Sequence, residues 1–458
     1  MKNFKVPHTL VLLFSMMIFA YLLTWLLPSG SFDMATNAQG KQVVVPGTYK
    51  VLEEQVNLPI WNLFTVIPKA LGEAQGIIFF LLLIGGSLAV IRSTGAIDAM
   101  LGKVLNRFSQ RPALLLFMSM LAFMLGSTSI GMAEEYIPLV LILISLCVAL
   151  KMDTVSAVGA MVIGYGIGYG TALLNPFTVL VAQGVAEVTP TSGWEYRLAL
   201  FVPFLAIGFH HLWKYAKAVR EDPKNSLVHD IPEAQPPAPS DYPELTGRRK
   251  AVLLMTLVSL IVMVVGIAKF HWYFIELGAI FFVLALLTAI IAGQSFDNAS
   301  KIFTTGAAEL TGTALLIGFA RSIEMLLSDA QVLHTIVNGL AEPLTHLGAE
   351  FSAVGMLAIQ SILNFFIPSG SGQAYVTMPI MAPISDIVGV SRQVAVLAFQ
   401  MGDGFMNMIV PSNPVLMGIL GMCGIPYTRW FKFIGPLLVK LFLAGSVSLV
   451  VAVMIGYQ

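Results

Sequence analysis

Runs of about twenty apolar residues recur along this sequence, parted by short polar breaks, and that pattern decides which solvent the chain folds in. A helix needs about 20 residues to cross roughly 30 Å of hydrocarbon. Of 458 residues, 57% are hydrophobic and only 11% charged, with a mean hydropathy of +0.83, which leaves too few charges to cover a water-soluble globule of this size. The chain therefore reads as an all-α polytopic membrane protein whose first partner is the lipid bilayer. Alternating segments of about 10 residues, the mark of a transmembrane β-barrel, do not occur. Zero net charge and the lack of a basic, aromatic-interleaved patch exclude nucleic acid. Cys147 and Cys423 fall inside apolar runs and suggest neither a disulfide framework nor a metal site.

Two polar stretches break the apolar pattern in matching ways. Residues 126–135 read GSTSIGMAEE and residues 367–376 read IPSGSGQAYV; Gly131, Ala133 and Pro138 recur 241 residues later as Gly372, Ala374 and Pro379. A second matched break follows each, at Asn175-Pro176 and Asn413-Pro414. A weaker third match pairs LLLIGG ending at Gly86 with LLIGF ending at Phe319. Three correspondences in one order argue for a duplicated chain.

Flanking charges orient the segments. Lys2 and Lys5 precede the run from Val6 to Leu27, which is long and lacks an Ala-x-Ala site, so it reads as a retained first helix with a cytoplasmic N-terminus. Pro28 to Leu58 is polar and external, with VVVPGTYKV as a strand or loop, and a span over 75–91 ends at Arg92. Thr94 to Phe108 reads as an interfacial helix. Arg111 before and Lys151 after residues 112–150 place both ends of that segment in the cytoplasm, which makes it a re-entrant hairpin; two full spans joined by a tight turn are the alternative. Residues 154–188 read as a broken helix, because Pro176 frees a backbone carbonyl. Gly164, Gly166, Gly168 and Gly170 ahead of the break also suit close helix packing. A helix from Tyr196 closes a first repeat over residues 1–220.

Residues 221–250 hold six prolines and many charges and form a cytoplasmic linker, read as a simple tether. An extra connecting helix over 251–272 leads to a second, inverted repeat over 273–458. That repeat holds spans at 273–292 and 306–327, an interfacial stretch over 329–347, a re-entrant hairpin at about 351–390 and a broken helix at about 393–421. The last helix exits, so the C-terminus is external. Inverted repeats of broken elements meeting near the midplane are an architecture of secondary transporters, and polar backbone at that depth survives only where protein or a water-filled cavity satisfies it.

The two hairpins, the breaks and the run PSGSGQAYVTMPIMAPISDIVGVSRQVAVLAFQMGDGFMNMIVPSNP resemble the YfcC-type membrane carriers. These are relatives of anaerobic C4-dicarboxylate carriers and arginine/ornithine antiporters in the ion transporter superfamily. The resemblance covers nearly the whole chain. It implies a homodimeric carrier of the bacterial inner membrane, in which a transport domain of hairpins and broken helices slides, elevator-fashion, against a scaffold domain. One departure is that Ser127-Thr128-Ser129 and Ser369-Gly370-Ser371 replace the Ser-Asn-Thr tip of the dicarboxylate branch, which argues against simple sodium/dicarboxylate symport.

Helix N-termini at the tips and breaks suit a carboxylate, and freed carbonyls suit a cation. Hydroxyls of Ser127, Thr128, Ser129, Ser369, Ser371 and Ser412, with the amides of Asn175, Gln373, Asn407 and Asn413, are candidate substrate contacts; local capping is the competing role for any one hydroxyl. Glu134, Glu135 and Asp403 are the candidate proton or coupling-ion sites, because a carboxylate at depth needs a partner or a task. Glu134 and Glu135 also suit a helix cap. Arg321 and Glu324 read as a structural pair. No Arg or Lys lies inside a tip or break, which favours an amino acid, basic in one reading and exchanged by antiport, over a dicarboxylate. The expectation is a secondary active transporter for a small carboxylate-bearing solute, without a cofactor beyond H⁺ or Na⁺ as coupling ion. A carrier of a C4-dicarboxylate or other small organic anion is the alternative, and a channel or membrane-embedded enzyme a distant one; an enzyme is not expected, since neither His-Glu-x-x-His nor Gly-x-Ser-x-Gly occurs.

Overall fold

The computed structural model of the chain describes residues 9–36, 42–45, 47–100, 103, 110–175, 177–234, 243–270, 272 and 274–458. Its helices follow the apolar runs. α1 (Thr9–Leu26), α2 (Asn62–Glu73) and α3 (Gln75–Ser93) precede α4 (Pro112–Ile130) and α5 (Ile137–Ala149). α6 (Thr154–Gly170) and the short α7 (Val179–Val185) lead to α8 (Trp194–Glu221) and α9 (Gly247–Phe270). The remainder carries α10 (Phe274–Ala292), α11 (Phe296–Glu309), α12 (Thr311–Asp329), α13 (Leu333–Ala341), α14 (Ala349–Phe366), α15 (Gly370–Ile387), α16 (Arg392–Met406), α17 (Pro414–Met422) and α18 (Tyr427–Met454). Among the described residues, six helical stretches are long and apolar enough to cross a membrane.

Helix boundaries sit where the sequence supplies a cap. Asp153 accepts from Ser156 N at 2.8 Å ahead of α6, Ser391 from Val394 N at 3.2 Å ahead of α16, and Asn413 from Leu416 N at 3.0 Å ahead of α17. Gly131 closes α4 at φ 74°, a left-handed conformation that glycine adopts without steric cost.

That glycine separates the two tips more than their sequence match suggests. α4 stops only after Ser127, Thr128 and Ser129, so these hydroxyls belong to the last turn of the first limb. Ser369, by contrast, caps the second limb of the other pair, accepting from Gly372 N at 3.3 Å. The alignment of Gly131 with Gly372 thus sets a helix end against a helix start.

Packing centres on α6 and α16, which lie against each other. All seventeen residues of α6 are buried, as are Gln393 to Phe405 of α16. Such all-round burial is what α6, apolar on every face, requires, whereas α16 buries Gln393, Gln400 and Asp403 along with its apolar residues. The close approach depends on glycine: a Cβ at Gly404 would stand 2.7 Å from Gly166 O, and one at Gly166 would stand 2.9 Å from Gly404 O. Contacts recur in the same order in both halves. α4, α5 and α8 pack on α6 as α14, α15 and α18 pack on α16, while α3 lies against α10 and α11, and α12 against α1 and α2.

Several segments differ from expectation. Residues 30–51 form two small antiparallel pairs, Gly30–Ser31 with Lys50–Val51 and Met34–Thr36 with Gln42–Val44. α2 was not foreseen: it is too short to span and carries Pro68, although Leu63, Val66 and Ala70 keep a helical period. Of the expected interfacial helix over 94–108, residues 96–100 and 103 are helical, while residues 101–102 and 104–108, like Pro176, lie outside the described residues. Residues 222–234 do more than tether. Ser226 Oγ donates to Asp153 Oδ2 at 2.7 Å, Thr154 Oγ1 donates to Ala234 O at 2.6 Å, and Arg429 pairs with Asp230 at 2.6 Å, so this piece clasps the start of α6 to the start of α18.

Candidate functional site

A cavity of about 500 Å³ opens where the breaks and tips meet. Gly131, Ala133 and Glu135 of the α4–α5 connection line it, with Tyr165 and Tyr169 of α6 and Phe177 and Thr178 ahead of α7. From the second half come Ser369, Gly370, Ser371, Asn407, Ser412, Asn413, Pro414 and Val415. The N-termini of α15 and α17 therefore share one space. The first-turn N–H groups of Gly370 and Ser371 on α15 and of Val415 on α17 have no acceptor among the described residues, and they carry the positive end of the helix dipole.

Below α15 lies a buried amide network. Gln373 Nε2 donates to Gln360 O at 2.8 Å and Oε1 at 2.7 Å, and Gln360 Nε2 donates to Thr377 Oγ1 at 3.0 Å. Asn364 Nδ2 donates to Gln373 Oε1 at 3.1 Å and to Asp403 Oδ1 at 2.9 Å. Asn407 Nδ2 also reaches Asp403 Oδ1, at 3.0 Å, and Asn413 Nδ2 donates to Asn407 Oδ1 at 2.8 Å. The cap of α17 is thereby wired to the carboxylate of α16. Asp403 Oδ2 and Asn364 Oδ1 remain buried without a partner. Gly370 sits over the former, since a Cβ there would stand 3.2 Å from Asp403 Oδ2.

Sequence reading singled out Asp403, Gln373, Asn407 and Asn413, and the structure joins all four. It did not single out Gln360, Asn364 or Thr377. The signal was present: Gln360 and Asn364 stand four apart in an apolar run, hence on one helix face, where amides are costly unless bonded.

The first half spends its polar groups differently. Ser127 is buried and donates to Met132 O at 2.8 Å; Thr128 Oγ1 donates to Thr171 O at 3.2 Å and accepts from Leu173 N at 3.0 Å. Ser129 is exposed and bonds Leu125 O at 2.6 Å. Asn175 donates to Ser127 O at 3.1 Å and accepts from Phe177 N at 2.9 Å and Thr178 N at 3.2 Å, clamping the break onto α4. These four residues, like Gln373, do not line the cavity, whereas Ser369, Ser371, Asn407, Ser412 and Asn413 do. Ser412 Oγ donates to Phe365 O at 2.6 Å. Tyr169 bonds Gly131 O at 2.7 Å and Tyr165 bonds Asn407 O at 2.8 Å, tying α6 to the first tip and to the second break.

Of the adjacent glutamates, Glu135 faces the cavity, 4% exposed, with Oε2 accepting from Ala133 N at 2.9 Å. Glu134 opens the 3-10 turn Glu134–Tyr136. Arg321 pairs with Glu324, as its i,i+3 spacing suggested, yet it also lines the cavity. The cavity thus has a cationic side chain that neither tip nor break supplies.

The family model described as C4-dicarboxylate anaerobic carrier matches residues 6–454. The chain belongs to that carrier family. YfcC of Escherichia coli (strain K12), provisionally named a basic amino acid antiporter, is 32% identical to this carrier over 496 residues, covering 100% of this chain and 98% of its own. An uncharacterized protein of Haemophilus influenzae (strain ATCC 51907 / DSM 11121 / KW20 / Rd) is 28% identical over 499 residues, covering 99% and 98%. Among solved structures, the YdaH transporter of Alcanivorax borkumensis aligns with the carrier at a TM-score of 0.44 and 15% identity over 98% of this chain and 99% of that one. MtrF of Neisseria gonorrhoeae aligns at 0.40 and 16% over 97% and 95%. The protein is a membrane transporter and not an enzyme.

Proposed function

We propose that this carrier moves a small carboxylate-bearing solute, an amino acid and in particular a basic one, by secondary active exchange coupled to H⁺ or Na⁺. The observation that carries the reading is the meeting of two helix N-termini and the buried Glu135 in one cavity of about 500 Å³. Unpaired N–H groups suit a carboxylate, and Glu135 suits an ammonium or guanidinium group. The coupling ion is taken at Asp403, whose free oxygen lies beneath Gly370, with Glu135 answering to the substrate. An oxygen-only pair such as Asp403 Oδ2 and Asn364 Oδ1 suits a proton or a dehydrated Na⁺. Ser127, Thr128 and Asn175 act by holding the first break against α4, and Gln373 by orienting Asn364 toward Asp403, while Ser129 bonds only within its own helix.

In this reading α4–α5 and α14–α15 are re-entrant hairpins of two inverted repeats. They form with α6–α7 and α16–α17 a transport domain that slides, elevator-fashion, against a scaffold within a homodimer of the bacterial inner membrane, N-terminus inside and C-terminus outside. The recurrence of the same packing partners in both halves supports it. A C4-dicarboxylate is the second reading, favoured by Arg321 on the cavity wall. Proteoliposome counterflow tests the proposal. Saturable exchange of external for internal L-arginine is expected, exchange of succinate alone selects the second reading, and a non-saturating flux overturns carrier action.

A further inference from the structure

Three charged side chains, Glu73, Glu135 and Arg321, line the central cavity among the described residues. Arg321 comes from α12, outside both tips and breaks, and α12 packs against α17, whose N-terminus opens on the same space. Its Nη1 is held by Glu324 one turn further along the helix. Nε and Nη2 have no partner among the described residues, and the side chain, 35% exposed, lines the cavity. A guanidinium held at one nitrogen and open at the other two is a pre-oriented fork, the geometry that binds a carboxylate through two parallel hydrogen bonds. The pair with Glu324 thereby acquires a role beyond packing, since it fixes the plane of the fork.

We propose that Arg321 seats the carboxylate of the transported solute, with the free N–H groups of α15 and α17 beside it and Glu135 receiving the cationic end of a zwitterion. This deepens the preceding reading and rests on it for the cavity's role. The substrate class follows: a molecule with at least one carboxylate is held, and an amine that lacks it is not.

The test uses purified full-length carrier and three probes, L-arginine, its decarboxylated counterpart agmatine, and succinate, with binding measured by calorimetry and folding by the unliganded melting temperature. In the wild type, L-arginine is expected to bind at least tenfold more tightly than agmatine. Arg321→Gln should weaken the bound carboxylate probe at least tenfold while leaving agmatine unchanged, so that the preference disappears. Arg321→Lys, which keeps the charge and loses the fork, should fall between, and Glu324→Gln should weaken the carboxylate probe less than Arg321→Gln does. Should Arg321→Gln not fold, the Lys and Glu324 variants give the same ordering. Equal affinity of the carboxylate probe for wild type and the Arg321 variants overturns the assignment and leaves the carrier reading standing. Binding of succinate alone overturns the amino-acid reading and leaves Arg321 to be judged on succinate. Agmatine binding as tightly as L-arginine in the wild type, or no carboxylate binding at all, overturns both.

Discussion

Asn364 donates from Nδ2 to Asp403 Oδ1 at 2.9 Å, and the direction of that amide is dictated from elsewhere. Gln373 must turn its nitrogen to the carbonyl of Gln360, so it offers oxygen to Asn364, which in turn must present nitrogen to both neighbours. The carbonyl oxygen of Asn364 and the second oxygen of Asp403 are left without donors. A buried charge so placed is costly unless a cation or proton reaches it. Asp403→Asn keeps the shape and an acceptor for Asn364 and Asn407 while removing the charge. The variant should fold and bind substrate, yet its uptake should no longer respond to a pH or Na⁺ gradient. Proteoliposomes with each gradient imposed separately provide the measurement, and an unchanged response to both would remove Asp403 from coupling.

Glu135 should report on substrate and not on coupling. A glutamine there still accepts from Ala133 N, so the turn before α5 is preserved. Loss of a charge-assisted bond costs about 1.5–3 kcal/mol, or roughly 10- to 100-fold in affinity for L-arginine. Succinate, which lacks a cationic end, should bind Glu135→Gln no worse than wild type. A variant with L-arginine affinity intact would show that Glu135 only closes its own turn.

How much of this was legible beforehand depends on what kind of signal each residue sends. Breaks announce themselves through local chemistry: Asn413 before Pro414 marks a capped helix start, and α17 begins there, although after Asn175 the helix α7 starts only at Val179. The Asp403, Asn407, Asn413 series was visible for the same reason, as polar residues in an apolar run. Arg321 was not, because its spacing to Glu324 fully accounts for both charges within one helix, and only tertiary packing brings α12 to the cavity. The roles of Ser127 and Thr128 were obscured by register. Whether α4 ends before or after them turns on the single left-handed residue Gly131, and the match to Gly372 pointed the other way. The glycines of α6 carry both meanings weighed for them: the helix ends at Gly170, and Gly166 meets Gly404.

That last contact yields a stability prediction. A methyl group at Gly404 would press on backbone, the carbonyl of Gly166 at 2.7 Å, which cannot swing aside as a side chain does. Overpacking of this kind costs about 1–3 kcal/mol. Gly404→Ala should lower the melting temperature of purified carrier, and Gly312→Ala, where an added Cβ meets no atom within 4 Å, should not. Equal melting temperatures for the two variants would mean that α6 and α16 do not meet closely at Gly404.

The clasp formed by residues 222–234 separates buried from exposed polar contacts in one short segment. Asp153 is 7% exposed and accepts from Ser156 N, Ser156 Oγ, Tyr215 OH and Ser226 Oγ. Removing it strands several buried donors and the cap of α6, at about 2–3 kcal/mol. Asp230 pairs with Arg429 at 2.6 Å, but their side chains are 47% and 30% exposed, and such pairs contribute about 0–1 kcal/mol. Asp153→Ala should therefore lower the melting temperature clearly and speed proteolysis within residues 222–234, while Asp230→Ala should do neither beyond a small shift. Because the clasp joins the start of α6 to the start of α18, Asp153→Ala should also slow exchange without changing substrate affinity. Counterflow rate measured beside equilibrium binding distinguishes the two, and a variant with normal rate and normal protease resistance would return the segment to the status of a plain tether.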